Sequence, residues 1–375
     1  MTSEVLLLPP TQFEESKAIL RKVASAHRYL AELKGIAKTI PNQEILIHTL
    51  ALQEAKDSSA IENIITTHDA LYKEQLFTGM LHDSAAKEVS QYADALIYGF
   101  NLVNQNRLLS INHIVEIQKR LLPASPGLRT IPGTMLVNPI TNEVVYTPPQ
   151  DAGTVRSLME NLVNYININN LHEVDPLIKM AIIHYQFESI HPFYDGNGRV
   201  GRIINLLYLV LEGLLDLPIL YLSRYIIQHK GEYYRQLQAL RETNDWEPWL
   251  LYMLEAVEQT SKETIILVHR IRDLMLDYKH RIRQQFPKVY SQDLINNLFR
   301  HPYTKIDFLV RDLDVTRKTA SKYLEMLTQS GFLAKAKIAT TNYYMNPPLF
   351  ELFMGTSQAG ENTPTISTQQ SGIGA

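Results

Sequence analysis

The sequence predicts a mainly α-helical protein with one isolated β-hairpin and a winged helix at its carboxyl end. Apolar residues recur at helical spacing through most of the first 285 residues. Residues 134–147 break that habit with two short β-prone runs. After Phe286-Pro287 the pattern changes again, to three short helical units followed by two further β-prone runs.

In chain order, the amino terminus "MTSEVLLLPPTQFEES" has an apolar run only at residues 5–8 and no basic region before it, so no secretory signal is expected. Leu46, Leu50 and Leu52 mark one helix, and Leu96, Ile97, Phe100 and Val103 another. The hairpin pairs residues 135–137 with 144–146 across a Pro-Ile-Thr-Asn turn. Helical period returns in "TVRSLMENLVNYI" and "DPLIKMAIIHYQFESI", the second with Asp175 as N-cap and Pro176 at its first position. Residues 203–211, "IINLLYLVL", are apolar on every face, which for a helix means a place at the centre of a domain. Glu212, Asp216 and Pro218 interrupt that run before the roughly 20 residues a bilayer requires, so no membrane span is expected.

A helix ending near Gln285 leads to "SQDLINNLF", "KIDFLVRDL" and "TRKTASKYLEMLTQSG", then β-prone residues 332–333 and 343–345, the order of a winged helix. From Gly355 the chain is Gly, Ser, Thr and Gln with Glu361 as its one charge, too polar to offset its own ordering entropy. The expected division is 1–90, an amino-terminal helical region; 91–260, a catalytic core; 261–287, a connecting helix; 288–350, the winged helix; and 351–375, a disordered tail.

At 375 residues, with 45% apolar, the chain can build two or three cores. The net charge of −3 creates no global basic field, so any nucleic-acid surface must be local. With no cysteine, disulfides, thiolate catalysis and cysteine-ligated metals are excluded, and a reducing cytoplasm is the expected compartment.

Between the two most apolar helical segments stands "IHPFYDGNGRVGR", residues 190–202. Its glycines let main-chain amides approach a ligand closely, and the loop enters a helix N-terminus, where free N–H groups and the helix dipole favour an anion. No Lys-Ser/Thr pair follows, so this is not the Walker pattern. Arg199 and Arg202, three apart in the first turn, can share a helix face and hold a chain of phosphates. Asp195 offers a carboxylate to a magnesium ion bridging those phosphates, and His191 can accept a proton from an attacking hydroxyl. A turn between helices needs none of these groups together.

"HPFYDGNGRVGR" resembles the signature of Fic-domain proteins, His-Pro-Phe-x-Asp/Glu-Gly-Asn-Gly-Arg-x-x-Arg, at every defined position. The resemblance runs from about residue 40 to 350, with "HYQFESIHPF", "PILYLSRYI" and "DWEPWL" flanking the motif, and is nearest to bacterial members that carry a winged helix. It implies a helical Fic core with a hairpin flap, and transfer of AMP from ATP to Ser, Thr or Tyr hydroxyls of proteins, the enzyme itself included. On that reading His191 is the general base, Asp195 the magnesium ligand, and Gly196, Asn197 and Gly198 the anion hole. The ATP site continues through Arg199, Val200, Gly201 and Arg202, with the two arginines on the β and γ phosphates. Phe193 is a packing residue, and His184 is structural. Tyr234, more than Tyr233, is the aromatic face for adenine. Family members that transfer phosphate instead carry Lys in place of the second glycine, so Gly198 points to AMP transfer. The flap, residues 134–147, would take an extended target segment by β-augmentation.

"SSAIEN", residues 58–63, has two readings. Ser59-Ala60-Ile61-Glu62 fits a capping box ahead of Ile64-Ile65. The stretch also resembles the family's inhibitory motif, Ser/Thr-x-x-x-Glu-Gly/Asn, with Ser58, Glu62 and Asn63 in the defined places. That resemblance implies that Glu62 occupies Arg202 and misplaces the γ-phosphate; in some members the same glutamate serves removal of AMP.

Residues 290–346 hold eight Lys/Arg against five Asp/Glu, with Arg317, Lys318 and Lys322 on the recognition helix. DNA contact, protein contact and a homodimer are all open there. The rival to an enzyme is a DNA-binding regulator that uses the loop only to sense a nucleotide, and His191 favours the enzyme because a sensor needs no base.

Overall fold

In the computed structural model, which describes residues 5–11, 14–76, 83–138, 141–338 and 341–355, helices dominate. The amino-terminal region contributes α1 (Lys17–Ala37), α2 (Glu44–Ile61) and α3 (His68–Leu76). Next come α4 (Ser84–Asn106) and α5 (Ile111–Leu121), then a hairpin of β1 (Leu136–Val137) and β2 (Val144–Tyr146). The core is completed by α6 (Ala152–Asn167), α7 (Pro176–Ile190), α8 (Asn197–Leu211), α9 (Leu222–Gln228) and α10 (Lys230–Thr243). A 40-residue helix, α11 (Trp246–Gln285), packs along α1 and leaves for the carboxyl-terminal unit.

The local rules of the sequence hold at the elements that frame the loop. Asp175 Oδ1 accepts from Leu177 N at 2.8 Å with Pro176 at the first helical position, so α7 starts where the Asp-Pro pair requires. Helix α8 is buried from Val200 through Val210, as its all-round apolar pattern demands. No helix among the described residues is long and apolar enough to cross a membrane.

The carboxyl-terminal unit contains α12 (Gln292–Arg300), β3 (Tyr303–Thr304), α13 (Ile306–Leu313), α14 (Arg317–Gln329), β4 (Ala334–Ile338), β5 (Thr341–Met345) and α15 (Pro347–Gly355). The three helices stand where the sequence places them, and the second strand of the carboxyl-terminal hairpin covers the expected residues 343–345. Strand β3 adds a third member, giving an antiparallel sheet of order β3-β5-β4, and two residues are too short a run for periodicity to reveal. Residues 332–333 lie just before β4 rather than in a strand, both buried. Tyr303 Oη donates to Asp69 at 2.6 Å and Lys305 Nζ to the Leu76 carbonyl at 2.8 Å, tying this unit to α3.

Three expectations need correction. Residues 351–355 belong to α15, which Asn346 caps (Leu349 N to Oδ1, 3.2 Å) and which buries Leu349, Phe350 and Phe353; the rest of the expected tail, 356–375, lies outside the described residues. No helix begins at Ser59: the stretch is the carboxyl end of α2, with Glu62 as C-cap, and Ser59 Oγ caps nothing. Finally, α11 runs unbroken across residues 260 and 261, and residues 90 and 91 both lie inside α4.

Candidate active site

The loop between α7 and α8 is closed by its own side chains. His191 ends α7 in the left-handed region, with φ of 50°, and the chain re-enters a helix through Gly196, with φ of 81°. Asn197 staples the turn: Phe193 N donates to Asn197 Oδ1, and Asn197 Nδ2 to the Phe193 carbonyl, each at 2.8 Å. Phe193 itself is fully buried in the core. What Asn197 and Gly198 offer an anion is therefore their main-chain N–H groups, in the first turn where no helical acceptor exists.

A residue absent from the sequence reading holds this loop from outside. Arg129 is 2% exposed, and its guanidinium donates to the carbonyls of His191 (2.8 Å), Ile190 (3.2 Å) and Pro149. Its main-chain N–H donates to the Pro192 carbonyl at 2.9 Å. The Tyr194 hydroxyl oxygen accepts from the Thr130 and Ile131 amides at 2.9 and 3.0 Å. In the sequence Arg129 is one arginine in a Pro- and Gly-rich connection, with no pattern to mark it.

The two motif arginines part company. Arg199 is buried and meets Glu88 of α4, a pairing the sequence does not signal. Arg202, also buried, turns to the end of α2: Nε donates to Ser58 Oγ, Nη2 to the Ser58 carbonyl and Nη2 to Glu62 Oε1, all at 2.8 Å. Burial raises the Glu62 pKa, but the charge and hydrogen bond of Arg202 outweigh it and hold the carboxyl below its usual range. Asn63 takes the left-handed position after the helix, with φ of 62°, and its Oδ1 accepts from Lys230 Nζ at 3.1 Å. Ser58 and Glu62 thus meet Arg202 in the first turns of α8, some 140 residues away in sequence, while Asn63 meets Lys230 of α10 instead.

Burial, reinforced by Arg129 and Arg241, lowers the His191 pKa to about 4, so the imidazole is neutral at pH 7, as a general base must be. His184 is buried with its Nε2 2.8 Å from the Tyr233 hydroxyl and its ring stacked on Trp249. Val200 packs in the core, and Gly201 faces Glu188, whose Oε1 would stand 2.6 Å from a Cβ there. Tyr233 is buried, whereas Tyr234 is 45% exposed beside it, the arrangement an aromatic contact surface requires.

Asp195 can serve a metal only in company. Its Oδ1 accepts from Gly196 N at 2.6 Å and its side chain is 73% exposed, so the second carboxylate oxygen is free to face a ligand. No cluster of three acidic, His or Cys groups stands among the described residues. Magnesium usually takes one or two protein carboxylates and completes its shell with water and phosphate.

The hairpin leans on the same helix. Tyr146 Oη donates to the Ser189 carbonyl at 2.7 Å, while Val137, Val144 and Val145 stand exposed. Residues 139–140 of the flap lie outside the described residues.

A fold of this kind with this loop is matched by three family models: "Fic/DOC family N-terminal" over residues 20–101, "Fic/DOC family" over 108–209, and "Protein adenylyltransferase SoFic-like, C-terminal domain" over 274–349. The chain belongs to the Fic/DOC family. It is similar to "Protein adenylyltransferase Fic" of Aedes aegypti, 28% identical over 159 residues that cover 42% of this chain and 30% of that protein. A "Probable protein adenylyltransferase" of Aquifex aeolicus is 41% identical over 81 residues, 22% of this chain and 24% of the other. The matched region thus spans under a third of these relatives' length. In fold the chain is similar to a Fic family protein of Desulfovibrio desulfuricans, with a TM-score of 0.57, 21% identity, and coverage of 89% of this chain and 97% of that one.

Proposed function

We propose that this protein transfers AMP from ATP to hydroxyl groups of Ser, Thr or Tyr on target proteins and on itself, and that Glu62 restrains it. The observation that carries the reading is the convergence of a neutral His191, the main-chain N–H groups at the start of α8 and two buried arginines on one loop. The relatives named protein adenylyltransferase support it. His191 would take the proton of the attacking hydroxyl as its oxygen bonds to the α-phosphorus and pyrophosphate leaves. The start of α8, with Arg199 and Arg202, would hold the phosphates. Magnesium on Asp195 would neutralise phosphate charge. Tyr234 would face the adenine, and the exposed edge of residues 134–147 would align the target.

Restraint follows from occupancy. A guanidinium already paired with Glu62 is not free for a phosphate, and a misplacement of 1 Å costs on the order of 100-fold in rate. Incubation with ATP labelled in its α-phosphate, with and without magnesium, tests the activity. Label on protein that requires magnesium supports it. The absence of label from both the wild-type protein and Glu62→Gly would overturn it.

A further inference from the structure

Beside the flap lies a cavity of about 240 Å³. Its walls are residues 5–8, Tyr146 at the end of β2, Tyr185 and Ser189 of α7, Leu240 and Arg241 of α10, and Trp246 at the head of α11. The amino-terminal strap is fixed in place, with Leu6 O accepting from Gln186 Nε2 at 2.7 Å and Leu8 N donating to Asn161 Oδ1 at 2.8 Å. The cavity is therefore built into the fold rather than left between loops.

Thr11, Gln186 and Asn244 also line it, and its unpartnered nitrogens are donors. The Trp246 indole N–H, 7% exposed by residue, is buried without a hydrogen-bond partner, and so is Arg241 Nε, while the Ser189 hydroxyl, 3% exposed, lies against Tyr185. Arg241 stands over the Tyr146 ring at 4.0 Å, and no carboxylate lines the cavity among the described residues. Unmet buried donors cost free energy, and a site that leaves two in one place asks for an acceptor. A carboxylate accepts from two N–H groups at once and neutralises the arginine; the aromatic and leucine walls suit the methylenes that carry it.

We infer that this cavity is a subsite for an acidic side chain of the polypeptide that lies along the flap. This rests on the reading of the hairpin as a target-docking edge. The source follows from position: exposed Val144 and Val145 lead along β2 directly to Tyr146 in the cavity wall, and Ser189 precedes His191 by two residues. An extended segment paired with that strand brings one of its side chains to the cavity while its hydroxyl approaches the base.

The chain's two tryptophans give a local readout, because Trp249 Nε1 is already bonded to the Ala181 carbonyl at 2.9 Å and lies outside the cavity wall. Indole N–H resonances of the full-length protein are followed while acetyl-Val-Glu-Val-amide, its Gln counterpart or free 4-methylpentanoate is added at millimolar concentration. The Glu peptide should shift the Trp246 resonance saturably, with the Gln peptide about tenfold weaker or more, the loss expected when a charge-assisted bond goes. Arg241→Gln should abolish the preference, and Arg241→Lys should keep part of it, with an unmoved Trp249 resonance reporting an intact fold in each. No Trp246 shift, or equal affinity for Glu and Gln peptides, overturns the subsite. Equal binding of 4-methylpentanoate overturns the peptide as its source. Binding needs no ATP: a protein that transfers AMP yet ignores the Glu peptide refutes the subsite alone, and one that prefers the Glu peptide yet transfers nothing refutes the AMP reading alone.

Discussion

Glu62 and Gly198 are in contact across a gap that admits no side chain: a Cβ on residue 198 would stand 2.3 Å from Glu62 Oε1. The same oxygen accepts from Arg202 Nη2 at 2.8 Å. The second glycine of the loop therefore gives room to a carboxylate that lies against the first turn of α8, and the same oxygen binds the arginine.

Glu62→Gly should raise AMP transfer, self-modification included, about 100-fold if phosphate misalignment is what limits the wild type. ATP should also raise the melting temperature of the variant more than that of the wild type, since ligand stabilisation grows with affinity. The gain should vanish when His191→Ala is added, because loss of a general base costs about 100- to 10,000-fold. Mass spectrometry after incubation with ATP checks this: an AMP adduct no more abundant in Glu62→Gly than in wild type sinks the restraint.

Much of this site was legible because its residues are contiguous. His191, Asp195 and the motif arginines sit within a dozen residues, and an apolar helix on each side fixes the loop at the domain centre. The pairing of Glu62 with Arg202 could be reached only by resemblance, since local rules read Ser59 to Glu62 as a helix start while tertiary packing made it a helix end. Arg129, Glu88 and Arg241 left no trace. Each is a lone charge whose partner comes from another part of the fold, and no periodicity encodes that. Strand β3 escaped for a different reason, since its pairing with β5 joins residues some 40 positions apart.

Arg129 should behave as a positioning residue. Arg129→Met keeps the stem but leaves three carbonyls without their donor, at a cost of about 3 kcal/mol in stability. His191 shifts with its carbonyl, so kcat should fall about 10- to 100-fold while KM for ATP changes little. Arg129→Lys should not restore either, because one ammonium cannot reproduce a planar fork across separated carbonyls. Full activity in Arg129→Lys would show that any buried cation serves.

On α14 the side chains of Arg317, Lys318 and Lys322 are exposed, with Arg317 against Asp307. If this face contacts DNA, duplex binding by the wild type should weaken steeply with salt, and alanine at all three positions should abolish it without altering AMP transfer. Binding that is absent or insensitive to salt assigns the face to protein contacts, which gel filtration of wild type and triple variant would then compare.

The last prediction concerns Glu188, buried under Gly201 with its Oε1 unpartnered. Burial raises its pKa to about 7; Arg202 pulls it down and Glu62 pushes it up. A carboxyl whose folded pKa exceeds its unfolded one stabilises the fold fully below the unfolded value near 4.5, and that contribution is lost as pH rises through about 7. Glu54, also raised to about 7 by burial, acts in the same direction. The buried histidines oppose them at the acid end: burial holds His68, His184 and His301 near 3 and His191 near 4, so below about 6.5 the unfolded chain takes up protons that the fold refuses. Stability should therefore peak near neutrality. Glu188→Gln keeps the shape and removes the ionisation, so its stability relative to wild type should improve between pH 5 and pH 8 by up to about 3 kcal/mol. Urea titrations at the two pH values measure this, and a difference between the proteins that is the same at both would mean that Glu188 does not ionise in that interval.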